Sequence, residues 1–378
     1  MNPKILQWAR LTSNLTIEDV AKKTNVKAEH ILAWENGEEE PTYPQLEKLA
    51  YSIYKRPIAI FFFQNPPEEN VESSFRTLSE SAKETFPGNI KKLLRVYKAF
   101  QYNLEELGDG INPKLKEIKS LIPLNKETSI EKLVKIIRNI LGVDIQTQIS
   151  WKNSDEALKN WRNSVEEKGI YIFKDAFKVD DFSGFCLYDT EFPVIVVNNS
   201  SSKNRQIFTI FHELAHLLFG TSGIDKLSDE YLSYLQDEDK KIEIYCNKFA
   251  GEFLVPEESL NSFISGKKVN EKLLSQLSQN FKVSKEVIAR RLLEKGTLSQ
   301  IQYRDFIKEW ESDYKDFQES KKESGGDHYR NKIHYLGKKY SQLVFAELLK
   351  GRISEEKAAE YLNTKVNHIP KLEELVLQ

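Results

Sequence analysis

The stretch Phe211-His212-Glu213-Leu214-Ala215-His216-Leu217-Leu218 decides how this chain is read. Its two imidazoles stand four residues apart, with a carboxylate directly after the first. On an α-helix such positions share one face, with Cβ atoms about 5–6 Å apart, so His212 and His216 can close on a single zinc ion. Glu213 would then lie beside the water that such a site activates, where a carboxylate acts as general base. The flanks Ile207, Phe208, Ile210, Phe211, Leu214, Leu217, Leu218 and Phe219 are apolar at nearly every position the motif leaves free, which predicts a helix buried on almost all sides. Burying His, Glu and His there without a partner would cost several kcal/mol. The pattern therefore points to a metallohydrolase.

A catalytic zinc site takes three protein ligands and keeps one position open. After His216 the next histidine is His328, so an acid is expected as the third ligand. Asp225, Asp229, Glu230, Asp237, Glu238, Asp239, Glu243 and Glu252 all follow the motif. The helical pattern from Ile242 to Leu254 selects Glu243, because it shares a face with Cys246, Asn247, Ala250 and Leu254. The small Cys246 and Ala250 would let this face approach the motif helix. Asn247, four residues on, is placed to accept the free ring N–H of a liganding histidine. Cys246 is the alternative soft ligand, against its reading as a core thiol.

Three short runs precede the motif: Gly169 to Phe173, Phe182 to Tyr188 and Phe192 to Val197. Turn-like Lys178-Val179-Asp180-Asp181 and Asp189-Thr190-Glu191 separate them, which predicts a small antiparallel meander. Pro193 near the start of the third run predicts an edge strand there. Such an edge could bind an extended peptide by strand addition.

Taken together, His212-Glu213-Leu214-Ala215-His216, the preceding Phe208-Thr209 and Val196-Val197-Asn198, and Asn247-Lys248-Phe249-Ala250-Gly251-Glu252-Phe253-Leu254-Val255-Pro256 resemble the ImmA/IrrE family of zinc metallopeptidases. The resemblance spans roughly Ser183 to Leu293, including Phe281-Lys282-Val283-Ser284 and Ala289-Arg290-Arg291-Leu292. It implies His212, His216 and Glu243 as zinc ligands and Glu213 as the base. It further implies limited endoproteolysis of a helix-turn-helix repressor.

At the other end, Thr16 can cap a helix with Asp19 reaching back, and Leu15 can pack on Val20. A turn at Asn25-Val26-Lys27 leads into Ala28 to Asn36, which Gly37 stops. Tyr43 to Tyr54 continues with Leu46, Leu49, Ala50 and Ile53 on one face. Ala21, Val26, Ile31, Trp34-Glu35-Asn36-Gly37 and Pro41-Thr42 resemble the Cro/CI-type (XRE) helix-turn-helix domain. Residues 1–65 carry eight basic and eight acidic side chains, so no strong excess of positive charge marks a DNA-binding face. The second helix of the motif offers Ala28, Glu29, Leu32 and Ala33 where base-reading groups are expected. Lys22, Lys23 and Lys27 with Glu29, His30 and Leu32 are the candidate contacts, either to double-stranded DNA or to a protein partner of the same fold.

Across 378 residues the net charge of -2 and 30% charged residues describe a soluble globular protein without general attraction to polyanions. Two cysteines, Cys186 and Cys246, fit a reducing cytoplasm rather than a disulfide framework. The run Ile58 to Phe63 is too short to span a bilayer and is expected to pack the first domain against the next. The expected fold is mainly α with a small antiparallel sheet (α+β). It divides into a helix-turn-helix domain (1–65), a linker and helical lead-in (66–150) carrying Ser74-Phe75-Arg76-Thr77-Leu78, a metallopeptidase domain (151–300) and a helical appendage (301–378). A hinge is expected at Ser324-Gly325-Gly326.

The leading expectation is a cytoplasmic zinc endopeptidase acting on an XRE-type repressor, its N-terminal domain docking to DNA or to the target; a homodimer is left open. Tyr231, Tyr234 and Tyr245 are the candidates for oxyanion stabilisation. The alternative is a DNA-binding regulator or antitoxin-like protein whose metal domain is a sensor or scaffold.

Overall fold

A computed structural model describes residues 1–13, 15–54, 56, 58–63, 65–66, 86–124, 128–179, 181–226, 235, 237–319 and 327–377. Residues 74–78, the expected hinge at 324–326, Tyr231, Tyr234, Asp229 and Glu230 lie outside them. The chain divides into two compact units, Met1–Val96 and Tyr97–Gln378. No helix among the described residues is long and apolar enough to cross a membrane.

The first unit holds α1 (Pro3–Leu11), α2 (Ile17–Thr24), α3 (Ala28–Asn36) and α4 (Tyr43–Glu47), the last running on into a wider turn at Lys48–Ile53. Local chemistry sets these boundaries. Thr16 and Asp19 form the expected reciprocal cap, each bonding the other's backbone N–H at 3.1 and 3.0 Å. Gly37 ends α3 at φ +79°, a left-handed turn that glycine adopts without a Cβ penalty. Ile5, Leu6, Val20, Ile31, Trp34, Leu49 and Phe61 close the core, so the run Ile58 to Phe63 places Phe61 inside this unit. Beneath it Arg10 and Glu35 form a buried two-point ion pair at 2.7 and 2.8 Å.

In the second unit, α5 (Gly88–Leu107, its last part lying in this unit), a short helix α6 (Lys116–Lys119), α7 (Ile130–Leu141), α8 (Ile145–Ser150) and α9 (Ser154–Glu167) lead to the sheet. The strands are β1 (Tyr171–Asp175), β2 (Phe182–Leu187), β3 (Val194–Asn198) and β4 (Gly223–Lys226), in the order β1-β3-β2-β4. β2 pairs antiparallel with both β3 and β4, but β1 runs parallel to β3. The sheet is therefore mixed, not the antiparallel meander expected, and β3 is a central strand rather than an edge.

The reason lies in β3 itself. Val194, Ile195, Val196, Val197 and Asn198 are all buried, and a β-branched run covered on both faces belongs inside a sheet. Pro193 precedes the first paired residue, so its missing N–H breaks no ladder bond, and its carbonyl still accepts from Tyr171 N. Strand addition at Val194 to Val197 is thereby ruled out.

Between β3 and β4 runs α10 (Lys203–Leu218), and after β4 come α11 (Asp237–Leu254), α12 (Glu257–Ile264), α13 (Glu271–Phe281) and α14 (Lys285–Glu294). One sheet face carries Tyr97, Phe100, Phe173, Phe185 and Tyr340 in a connected aromatic cluster with ring centroids 5.1–6.1 Å apart. The other face receives α10, backed by α9 and α11 through Trp161, Phe211 and Phe253; Phe211 stacks on Phe253 at 4.1 Å. Burying each such ring contributes roughly 1.5–3 kcal/mol, so the motif helix is held as part of a rigid core. Beyond α15 (Gln300–Glu319), helices α16 (His328–Leu336), α17 (Lys338–Leu349), α18 (Glu355–Tyr361) and α19 (Ile369–Leu377) complete the chain. There Lys174 of β1, almost fully buried, meets the Nε2 of His334 at 3.2 Å.

Candidate metal centre

Ser202 caps α10 by accepting from Arg205 N, and every residue from Gln206 to Leu218 is buried. This depth is unusual for a helix that carries His212, Glu213 and His216. Two strand glycines make it geometrically feasible. A Cβ on Gly184 of β2 would meet Thr209 Cγ2 at 2.4 Å, and one on Gly223 of β4 would meet His216 Cδ2 at 2.4 Å. The sheet thus lies directly against the helix where the imidazoles stand.

From the opposite side α11 delivers Glu243. Its Oε2 lies 3.2 Å from His212 Nε2, its Oε1 lies 3.2 Å from His216 Nε2, and the two imidazole nitrogens are 3.2 Å apart. Tetrahedral donors at zinc–ligand lengths near 2.0–2.1 Å stand about 3.3 Å from one another, so two imidazole nitrogens 3.2 Å apart, each with one oxygen of the Glu243 carboxylate at the same distance, suit the spacing of a zinc site. Cys246 and Ala250 are fully buried on the same helix, as its packing against α10 requires. Asn247 Oδ1 lies 3.1 Å from His212 Nδ1. An amide oxygen only accepts, so it fixes the proton on Nδ1 and leaves the Nε2 lone pair facing the cluster.

The charges around the cluster suit a bound cation. Burial alone would raise the Glu243 carboxyl, yet His216 and His212 outweigh it and hold the group well below the usual carboxylate range. Burial likewise works against protonated His212, but Asp225, Glu243 and Glu213 together raise it to about 9. Glu213 is buried with no nitrogen or oxygen donor on either carboxylate oxygen and only the weakly donating Cys186 thiol beside it, and burial lifts its carboxyl to about 7 against the pull of the two imidazoles. A buried carboxylate with so weak a donor is costly, and a cation with its water beside it would lower that cost.

The other acids are otherwise engaged. Asp225 accepts from Arg205 and Thr209, Glu252 pairs with Arg291, and Glu238 is exposed. The Cys246 thiol is pushed well up by burial, which disfavours the thiolate a metal would need, and it stands outside the His212, His216 and Glu243 cluster. Tyr245 packs on Phe219 at 5.0 Å. Sequence reasoning missed Gly184, Gly223 and the Arg205, Thr209 and Asp225 group. A lone glycine inside the Phe182 to Tyr188 strand pattern was the available signal, since such a residue often marks close backbone approach. In the first unit Lys22, Lys23, Lys27, Glu29, His30 and Leu32 are all solvent-exposed, with His30 held by Glu39 at 2.8 Å.

Residues 165–293 match the family model described as the IrrE N-terminal-like domain, and residues 6–50 match the helix-turn-helix model. Two curated relatives are similar over 99 residues, 26% of this chain. The radiation response metalloprotease IrrE of Deinococcus deserti is 34% identical there, across 34% of its length. Its counterpart in Deinococcus radiodurans is 31% identical across 30% of its length. The chain thus matches about a third of each relative.

Proposed function

Because the chain carries an IrrE-like metallopeptidase domain and a helix-turn-helix domain, we propose that it is a zinc-dependent endopeptidase whose substrate is a helix-turn-helix repressor. The observation that carries this reading is the buried cluster of His212, His216 and Glu243, with each imidazole Nε2 3.2 Å from the other and from one Glu243 oxygen, and the buried carboxylate of Glu213 beside it. The two imidazoles and Glu243 would hold the ion. Zinc bound there supplies Lewis acidity toward a carbonyl and a water. Glu213 accepts the proton as the water attacks and passes it to the departing amine, a role suited to a buried carboxylate directly beside the ligand set. Asn247 keeps the His212 ring in the productive tautomer.

β4 takes the part that β3 cannot. It ends the strand order, and among the described residues no further strand pairs with its outer side. Its Gly223 lies against the His216 ring, so an extended peptide added to that side would run beside the metal ligands. The exposed face of α2 and α3 would bring the enzyme to DNA or to the repressor itself.

The test is incubation of the zinc-loaded protein with candidate helix-turn-helix repressors, followed by mass spectrometry of fragments. Glu213→Gln should retain zinc and lose cleavage by about 10²–10⁴-fold. A fully active Glu213→Gln protein would remove the base from the mechanism.

A further inference from the structure

The substrate seat proposed above is a short strand, and its own backbone ladder holds it weakly. β4 has four residues, and its pairing with β2 is irregular where Phe182 and Gly184 face Lys226 and Asp225. At its start, Gly223 N donates to the sulfur of Cys186 at 3.2 Å. A four-residue strand with a bulge has little to fix its register, and a slip of one residue would turn every group to the other side.

Side chains supply what the ladder lacks. Asp225 is 2% exposed. Its Oδ1 accepts from Arg205 Nη2 at 2.7 Å and its Oδ2 from Thr209 Oγ1 at 2.7 Å. Arg205 Nε also donates to Ser183 Oγ of β2 at 2.9 Å. Arg205 and Thr209 are four residues apart on α10, and Thr209 stands one turn before His212 and Glu213. The rod that carries both imidazoles and the base therefore also grips the edge strand, through one buried carboxylate.

We propose that Asp225 is a positioning residue: by clamping β4 to the motif helix, it sets the register in which an extended peptide presents its scissile bond to the metal centre. The proposal rests on the peptidase reading. It assigns Asp225 no contact with substrate and no part in the proton transfers. Its loss misplaces the peptide by a fraction of a strand repeat, and a displacement of about 1 Å at a reacting centre costs about a hundredfold in rate.

Two variants of the full-length, zinc-loaded protein test it. Asp225→Asn removes the charge, and Thr209→Val removes one of the two grips at nearly constant volume, so the second carries the test should the first fail to fold. Three readouts are taken: zinc stoichiometry, amide hydrogen exchange across residues 221–226 in the metal-free protein, and the distribution of bonds cut in a long peptide. The clamp predicts full zinc stoichiometry at saturating metal, faster exchange in β4, a fall in kcat larger than the rise in KM, and cuts that spread to neighbouring bonds. Asp225→Asn should lose about a hundredfold in kcat/KM, with Thr209→Val following in the same direction. Cleavage that falls only in step with lost zinc, or an unchanged cut site with unchanged β4 exchange in folded variants, overturns the clamp. Should the parent protein cut no peptide or repressor at all, the peptidase reading fails and the clamp falls with it. A parent that cuts cleanly beside insensitive variants sinks the clamp alone.

Discussion

Replacing Gly223 by alanine should cost this protein its metal before it costs the fold. The added methyl would stand 2.4 Å from Cδ2, 2.5 Å from Cγ and 2.8 Å from Nε2 of His216. Ordinary contact begins at 3.4 Å, so ring and strand must separate by about 1 Å (3.4 minus 2.4). His216 is only 2% exposed, which leaves the ring little space for retreat. Metal ligation tolerates about 0.2 Å, so the displacement far exceeds what the ligand set can absorb. Overpacking of this kind costs about 1–3 kcal/mol, and at about 1.4 kcal/mol per decade that becomes roughly a fivefold to hundredfold loss of zinc affinity. Competition against a chromophoric chelator measures it directly. Thermal melting of the metal-free form provides the control, because it separates the packing penalty borne by the fold from the penalty borne by ligation. A Gly223→Ala protein that binds zinc as tightly as the parent would refute the reasoning, and would show that β4 does not press on His216 as described.

Two further outcomes concern stability. Arg10→Met leaves Glu35 buried without its partner and should destabilise the first unit by about 3–5 kcal/mol, measured by urea unfolding, while an added Glu35→Leu should recover most of the loss. Lys174 is buried beside Arg162 and Lys203, and burial above all lowers its amine to about 6. A lysine depressed on folding binds its proton more readily in the unfolded chain, so stability rises with pH from about 6 to its unfolded value near 10.4. Lys174→Met should flatten that slope, as read from melting temperatures across the interval, and a slope unchanged in the variant would acquit the residue.

What could be read in advance was whatever a single segment states by itself. The motif helix announced its burial through its flanks. The shared face of Glu243, Cys246, Asn247 and Ala250 followed from helical period alone, and the structure brings Glu243 to both imidazoles and Asn247 to His212 as that face requires. The Thr16 and Asp19 cap was equally local. Pairing between segments left no such trace. Nothing in Tyr171 to Asp175 says that it will lie parallel to Val194 to Asn198 with β2 returning on the far side, and the proline weighed toward an edge that full burial of β3 overrode. β4 was too short to announce itself, since Thr221-Ser222-Gly223 reads as a turn. Asp225 looked like one acid among many because its donors lie twenty and sixteen residues earlier, on a helix whose face toward the sheet was not yet defined.

The division of the chain has a consequence for how such a protein can change over generations. Ser183, Gly184, Cys186, Arg205, Thr209, His212, Glu213, His216, Gly223, Asp225, Glu243 and Asn247 all fall within Tyr97–Gln378, and none is borrowed from Met1–Val96. Recombination that swaps the front module for another would leave this set of residues whole. On the proposed reading the chemistry and the address would be inherited as separate parcels, and new targets would be acquired by exchanging the label.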